Sequence, residues 1–368
     1  MKILHTEASR GWGGQEIRIL TEAAGMIARG HVVEVACPPD ARIFAEAPRF
    51  GVTARPLPIA RKNPGGLMAM RRYLRGNSFD VVNTHSSTDS WLVALASLGW
   101  SAPPLVRTRH ISAPVADNRA TRWLYCRASA HVVTTGGALR EQLIRDSGLA
   151  PERVTSVPTG IDPARYPATS SDRRRRARAA LGLPASVPIV GIVATLRSWK
   201  GHRYLIEALG DLPDRETRLA IVGDGPQRVA LEAQARDSGL QERIIFAGNC
   251  DDVAPWLHSF DVFALPSYAN EGVPQALLQA MFTGLGCVTT DAGAIPEIAM
   301  DGTTALIVAR EDAGALARAL QRLLEDAPLA TALGRAARER MLARHSLDTM
   351  LDRMEAVFAQ TQYRAGVR

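Results

Sequence analysis

The sequence predicts an α/β protein made of two parallel-sheet units joined by a hinge. Short apolar runs bounded by Gly, Pro and polar residues alternate with longer stretches that carry apolar residues at helical spacing, the pattern of repeated β-α-β units. The alternation breaks once, from Pro158-Thr-Gly160-Ile-Asp162-Pro163 through Tyr166-Pro167 to Ser171, and then restarts. At 368 residues the chain is also long for one open sheet and sufficient for two cores.

In the first half, Met1–His5 reads as a strand and Gly11-Trp12-Gly13-Gly14 as a loop. A helix follows from Gln15 to Arg29, with Ile17, Leu20, Ala24 and Ile27 on one face. Gly30 ends it before the strand Val32–Ala36. Further strands are expected at Val52–Leu57, Asp80–Asn83, Leu105–Arg109, Ala130–Thr134 and Val154–Val157. Helices are expected near Asp40–Phe50, Gly65–Arg75, Thr88–Leu98, Arg119–Arg127 and Ala138–Asp146. After the break come helix Arg173–Leu181, strand Ile189–Ala194, helix His202–Leu209, strand Arg218–Val222, helix Pro226–Ser238 and strand Ile244–Ala247. Then follow strand Val262–Leu265, a helix opening near Pro274, strands Gly286–Thr289 and Ala305–Val308, and helices to the end. Pro274 suits a first helical turn, where its missing N–H is no loss. The expected domains are 1–165, 166–345, and a terminal helix over 346–368 that packs back on the first.

Composition bounds the function classes. No window approaches about 18 uninterrupted apolar residues, and the first residues lack the pattern of a signal peptide, so a cytoplasmic protein is expected. The four cysteines lie far apart and offer no metal-ligand spacing. Charge is uneven: residues 1–165 hold 21 Lys+Arg against 13 Asp+Glu, and residues 166–368 hold 23 against 24. A basic first half invites an anionic partner, although 41 of the 44 cations are Arg, which a general compositional bias also explains. No aromatic-basic groove or reading motif points to nucleic acid.

Several strand-to-helix turns carry chemistry. Backbone N–H groups in Gly11-Trp12-Gly13-Gly14 would suit a phosphate at a helix N-terminus, but Glu16 stands where a dinucleotide fingerprint needs its third glycine. Arg197-Ser-Trp-Lys200-Gly201 sets two cations after a strand, in position for a diphosphate. Gly223-Asp224-Gly225-Pro226 permits close backbone approach to a ligand; a tight turn explains it equally. His110, and with weaker support His85, end strands where a cleft would open. Pro266–Glu297 holds Glu271-Gly272-Val273-Pro274, a carboxylate among backbone donors at a helix N-terminus, suited to a sugar and its phosphate. Arg61-Lys62, Arg71-Arg72 and Arg173–Arg176 read as solvated faces. Arg119, Arg122 and Arg127 interleave with Trp123, Leu124 and Tyr125, which suits a helix packed by its aromatic face better than a membrane-surface helix.

Together these segments resemble glycosyltransferase family 4, a large retaining family with the GT-B fold. The resemblance is carried by GWGGQEIRILTEAAGMIARGHVVEV, VTSVPTGIDPARY, GIVATLRSWKGHRYLIEAL, VGDGPQR and NEGVPQALLQAM, in that order. It implies two Rossmann-like domains facing each other across a cleft that closes about residues 158–170. It implies that Glu271 binds donor-sugar hydroxyls and that Gly272, Val273 and Pro274 surround sugar and phosphate. Arg197 and Lys200 would neutralise the leaving diphosphate without a metal ion, and His110 would sit by the anomeric carbon. Gly13, Gly14, Gly223, Gly225 and Asn249 are the remaining expected donor-binding positions. Gln279 departs from the pattern: the family's second Glu, which holds the nucleotide ribose, belongs there. An amide can still meet ribose hydroxyls, so altered nucleotide contacts are expected rather than lost activity.

The expected activity is transfer of a sugar with retention from a nucleotide-diphosphate sugar, UDP favoured over GDP, to a saccharide or lipid-linked acceptor of lipopolysaccharide or surface-polysaccharide type. No cofactor is expected. Peripheral contact with the anionic inner face of the cytoplasmic membrane is. Two other classes compete: a non-catalytic nucleotide-sugar-binding partner of a glycan assembly complex, supported by Gln279, and a nucleotide-sugar epimerase on the same fold.

Overall fold

A computed structural model describes residues 1–110, 115, 116, 118–269 and 271–366, with side chains placed up to residue 363. The chain divides into two compact units, Met1–Gly160 with Leu347–Arg368, and Ile161–Ser346.

The first unit runs β1 (Lys2–Thr6), α1 (Gly14–Ala28), β2 (Val32–Cys37), α2 (Arg42–Glu46), β3 (Thr53–Pro56), α3 (Pro64–Arg75), β4 (Val81–Thr84), α4 (Ser87–Ala96), β5 (Leu105–Arg109), α5 (Arg119–Trp123), β6 (Ser129–Thr134), α6 (Gly137–Ser147) and β7 (Val154–Ser156). The second runs α7 (Ser171–Ala180), β8 (Ile189–Val193), α8 (His202–Asp211), β9 (Arg218–Val222), α9 (Arg228–Asp237), β10 (Ile244–Gly248), α10 (Ala254–Ser259), β11 (Val262–Leu265), α11 (Gln275–Phe282), β12 (Gly286–Thr290), β13 (Leu306–Val308), α12 (Ala313–Glu325) and α13 (Ala327–Arg344). The last helix, α14 (Leu347–Gly366), belongs to the first unit.

The strand order is β3-β2-β1-β4-β5-β6-β7 in one sheet and β10-β9-β8-β11-β12-β13 in the other. The ladders are parallel throughout the described residues. Parallel strands need helical crossovers, which cover both sheet faces and explain why the strands read as continuous apolar runs. Strand addition reverses between β1 and β4 in the first sheet and between β8 and β11 in the second. At such a point the loops leaving two neighbouring strands diverge and open a crevice at their carboxyl ends.

Three expectations need correction. The helix expected over Asp40–Phe50 is α2 followed by a 3₁₀ turn at Ala47–Phe50, because Pro48 cannot donate the next helical hydrogen bond. The helix expected over Arg119–Arg127 is α5 followed by a π turn at Leu124–Ala128. There Leu124 and Tyr125 are buried, and Trp123 stacks on Trp91 with centroids 5.9 Å apart, so the aromatic face does pack. Pro274 is the residue that caps α11 rather than part of its first turn. The short helix α10 had no counterpart in the sequence reading. Its Trp256 and Leu257 sit in the second unit's core, but six residues are too few to show a period.

The core of the first unit is closed by α14. Met350, Leu351, Met354, Val357 and Phe358 are buried in one cluster with Ile3, Ile19, Leu20 and Met26. Gly25 on α1 has no room for a side chain, since an added Cβ would lie 2.5 Å from a methyl of Leu351. Among the described residues no helix is long and apolar enough to cross a membrane. Because Phe358 is fully buried, Phe358→Ala should destabilise the first unit by about 3–5 kcal/mol. Hydrogen exchange read by mass spectrometry should then show lost protection in β1, β2 and α1, with the peptides of β8–β12 unchanged.

Candidate functional site

The two loops at the second sheet's reversal point supply a charged pair. The loop after β8 carries Arg197 and Lys200, and the loop after β11 carries Ser267 and Glu271. Lys200 Nζ donates to Glu271 Oε1 at 2.6 Å, and the Ser267 hydroxyl donates to the same oxygen at 2.5 Å. Glu271 is 3% exposed, so its carboxylate is held by these two donors rather than by water. Its other oxygen, Oε2, has no hydrogen-bond partner among the described residues. Lys200 is half-buried and Arg197 exposed, the latter's guanidinium 5.8 Å from the Trp199 ring centroid. The imidazole of His202, two residues after Lys200, is buried; burial first, then the charge of Lys200, push its pKa down to about 4, so it is neutral.

Backbone constraints fix the pair. Gly201 has φ +75°, and a Cβ there would lie 2.0 Å from the Pro266 carbonyl oxygen. Gly293 has φ +56°, and a Cβ there would lie 2.0 Å from the Glu271 carbonyl oxygen. At both positions only glycine combines a left-handed conformation with that approach. The amide of Tyr268 donates to the Trp199 carbonyl at 2.9 Å, which ties the loops after β8 and β11 together, and that of Ala294 donates to the Glu271 carbonyl at 3.2 Å, which ties the loop after β12 to the second of them.

The other expected donor-binding residues of this unit lie along the same carboxyl edge. Gly223 and Gly225 follow β9 and pack against the loop after β8, with Leu196 N donating to Asp224 O at 3.0 Å and Gln227 N to Leu196 O at 3.0 Å. Asn249 is exposed just after β10, whose Gly248 carbonyl accepts from Gly223 N at 2.8 Å. Gly272 and Val273 are half-buried between Glu271 and α11, and Pro274 is buried. Asn270, which opens the stretch carrying Glu271, lies outside the described residues. Gln279 is one turn into α11, and its amide donates to the buried Tyr166 hydroxyl at 2.9 Å. This departure from the family pattern thus has an intramolecular partner that sequence reading did not supply.

In the first unit, the loop after β1 is organised by Glu7. Its carboxylate accepts from Ser9 N at 2.7 Å and from the Gln15 amide, in front of the α1 N-terminus. Burial, and then Asp89 nearby, push Glu7 up to about 8. Gly13 caps α1 with extended backbone, φ −175°, and Gly14 begins the helix.

His110 follows β5 and is brought against His85, which follows β4, and through it against His5, which lies in β1. His110 Nε2 lies 2.9 Å from His85 Nδ1, and His85 Nε2 lies 2.9 Å from His5 Nδ1. Desolvation is the first cause that lowers all three pKa values, that of His5 to about 3, so all three rings are neutral. The 4.0 Å approach of His5 Nε2 to Glu22 is therefore not an ion pair. Sequence reading missed His5, Ser267 and Tyr166. Only for His5 was there a signal: β1, β4 and β5 each carry a histidine at or just after the carboxyl end, and these three strands are neighbours. Among the described residues no cluster of His, Cys, Asp or Glu has a metal-binding arrangement.

Residues 12–165 match the model described as Glycosyltransferase Family 4, and residues 187–326 the model described as Glycosyl transferases group 1. A D-inositol 3-phosphate glycosyltransferase of Corynebacterium aurimucosum is 28% identical over 363 residues, covering 91% of this chain and 84% of that protein. A lipopolysaccharide core biosynthesis mannosyltransferase of Rhizobium leguminosarum is 30% identical over 247 residues, 65% of this chain and 66% of that one. The crystal structure of Anabaena HepE in complex with UDP superposes with a TM-score of 0.86 at 22% identity, over 98% of this chain and all of that one. Two successive family models in the expected order, on two Rossmann-like parallel sheets of the GT-B class, make this chain a member of glycosyltransferase family 4.

Proposed function

We propose that the chain transfers a sugar, with retention, from a nucleotide-diphosphate sugar to a saccharide or lipid-linked acceptor of lipopolysaccharide or surface-polysaccharide type. The observation that carries this reading is the Lys200–Glu271–Ser267 cluster at a sheet reversal point. A sugar joined to phosphate presents hydroxyl donors and anionic oxygens within a few ångströms of one another. An acceptor carboxylate 2.6 Å from a fixed ammonium is complementary to that pairing. The sugar hydroxyls would take the Glu271 carboxylate, and the diphosphate would take Lys200 and Arg197.

In the reaction, the bond from the anomeric carbon to the phosphate oxygen breaks and a bond from that carbon to the acceptor oxygen forms. The acceptor's proton passes to the departing phosphate on the same face. Negative charge grows on the diphosphate, and cations already fixed in place lower that barrier without a metal ion. Glu271 Oε1 already accepts two hydrogen bonds, which suits a binding role better than a nucleophilic one. A UDP-sugar is favoured over a GDP-sugar; the UDP complex of HepE supports this, and the lipopolysaccharide core relative supports the acceptor class. The net positive charge of residues 1–165 supports peripheral contact with an anionic membrane surface.

Lys200→Ala should lower kcat by roughly 10²–10³, measured as nucleoside diphosphate release, with an unchanged circular dichroism spectrum. Near-normal turnover would remove Lys200 from the mechanism. In a thermal-shift screen of UDP, GDP, ADP and their common sugars, UDP and a UDP-sugar should raise Tm most, and a larger shift with GDP would reassign the base.

A further inference from the structure

The three histidines of the first unit form one hydrogen-bonded line from its core to its carboxyl edge. His5 and His85 are buried, stacked with centroids 5.1 Å apart at 14°, and His110 at the outer end is half-buried. Each ring is neutral and so carries one proton. Two bonds join three rings, so the protons must all point the same way along the line. With His5 Nε2 protonated, His85 donates from Nε2, His110 donates from Nε2, and His110 Nδ1 is left as a lone pair. With His5 Nε2 bare, both bonds reverse and His110 Nδ1 carries N–H.

The inner end decides between these two states. His5 Nε2 has no hydrogen-bond partner and faces Glu22 Oε1 at 4.0 Å. Glu22 lies 3.7 Å from Arg18, and both side chains are wholly buried. An ionised Glu22 favours N–H at His5 Nε2. A protonated Glu22 leaves the Arg18 charge, which favours the lone pair there. We propose that His5 and His85 are positioning residues that transmit the charge state of the buried Arg18–Glu22 pair to His110 and so set which His110 nitrogen is protonated.

The surrounding groups are fixed. Arg107 of β5 adds positive charge near His110, Asp89 of α4 accepts the His85 backbone N–H at 2.9 Å, and Phe358 of α14 meets His5 edge-on. Asn83 donates to Glu22 at 3.5 Å. Burial, against the pull of Arg18, raises Glu22 to about 7, so the reversal falls near neutral pH. Asp89 too is raised by burial, yet its carboxyl bonds the backbone and hydroxyls rather than a ring. Only the consequence for turnover, through the place by the anomeric carbon that the family resemblance implies for His110, rests on the proposed transfer reaction.

The test is 15N NMR of the full chain with labelled histidine, which requires no substrate. At pH 8.5 His110 should show Nε2–H and a bare Nδ1; at pH 6 the two signatures should exchange. Glu22→Gln keeps the shape and removes the charge, so it should hold the low-pH pattern at both pH values. It should also remove an inflection near pH 7 from the turnover profile. A His110 tautomer that is the same at both pH values in the wild type overturns the proposal, as does one that still responds to pH in Glu22→Gln. Because the NMR readout is independent of turnover, failure of this assignment and failure of the transfer reading are distinguishable.

Discussion

The placement of chemistry in this protein depends on one topological constraint: in each sheet, strand addition reverses direction once. A parallel sheet covered by helices leaves few openings, and the reversal is where two strand-end loops part. In the second unit the loops that part there carry Lys200 and Glu271. In the first, the corresponding strands β1 and β4 carry His5 and lead into His85. The fold supplies an edge, and the loops furnish it with charge.

What holds the charged pair is steric as much as electrostatic. A salt bridge between flexible side chains is worth little when it is exposed, and a buried one is costly unless further hydrogen bonds satisfy it. Here Ser267 adds a second donor, Gly201 brings the loop after β8 against Pro266 in the loop after β11, and Gly293 lets the loop after β12 approach the Glu271 carbonyl. The ammonium and carboxylate are therefore held in place before a ligand arrives, and preorganisation of this kind is what allows fixed charge to act on a transition state. The same logic extends to the neutral His202, which feels the Lys200 charge: a second cation there would be repelled, and burial removes it.

The sequence was informative where structure is local. Strand–helix alternation, the hinge prolines and the glycine turns are periodic or short-range, and the parallel α/β architecture followed from them. The residues that proved hardest to read are joined across long separations. Gln279 meets Tyr166, and His5 meets His85, through contacts that no window along the chain contains. One error in element type has a local cause, Pro48 ending α2 early, whereas the π turn that ends α5 buries Leu124 and Tyr125 in a core built from distant segments. Lys200 and Glu271 were each legible as strand-end charges, whereas their contact depended on β8 and β11 being neighbours, which strand order alone reveals.

The central proposal is that a donor binds across the fixed Lys200–Glu271 pair, its phosphate on the ammonium and its sugar hydroxyls on the carboxylate. Calorimetric titration of Glu271→Gln with free UDP and with a UDP-sugar tests it directly. Removing the carboxylate charge frees Lys200, so the variant should bind UDP at least as tightly as the wild type and the UDP-sugar more weakly. Equal losses for both ligands, or no change for either, would contradict the account.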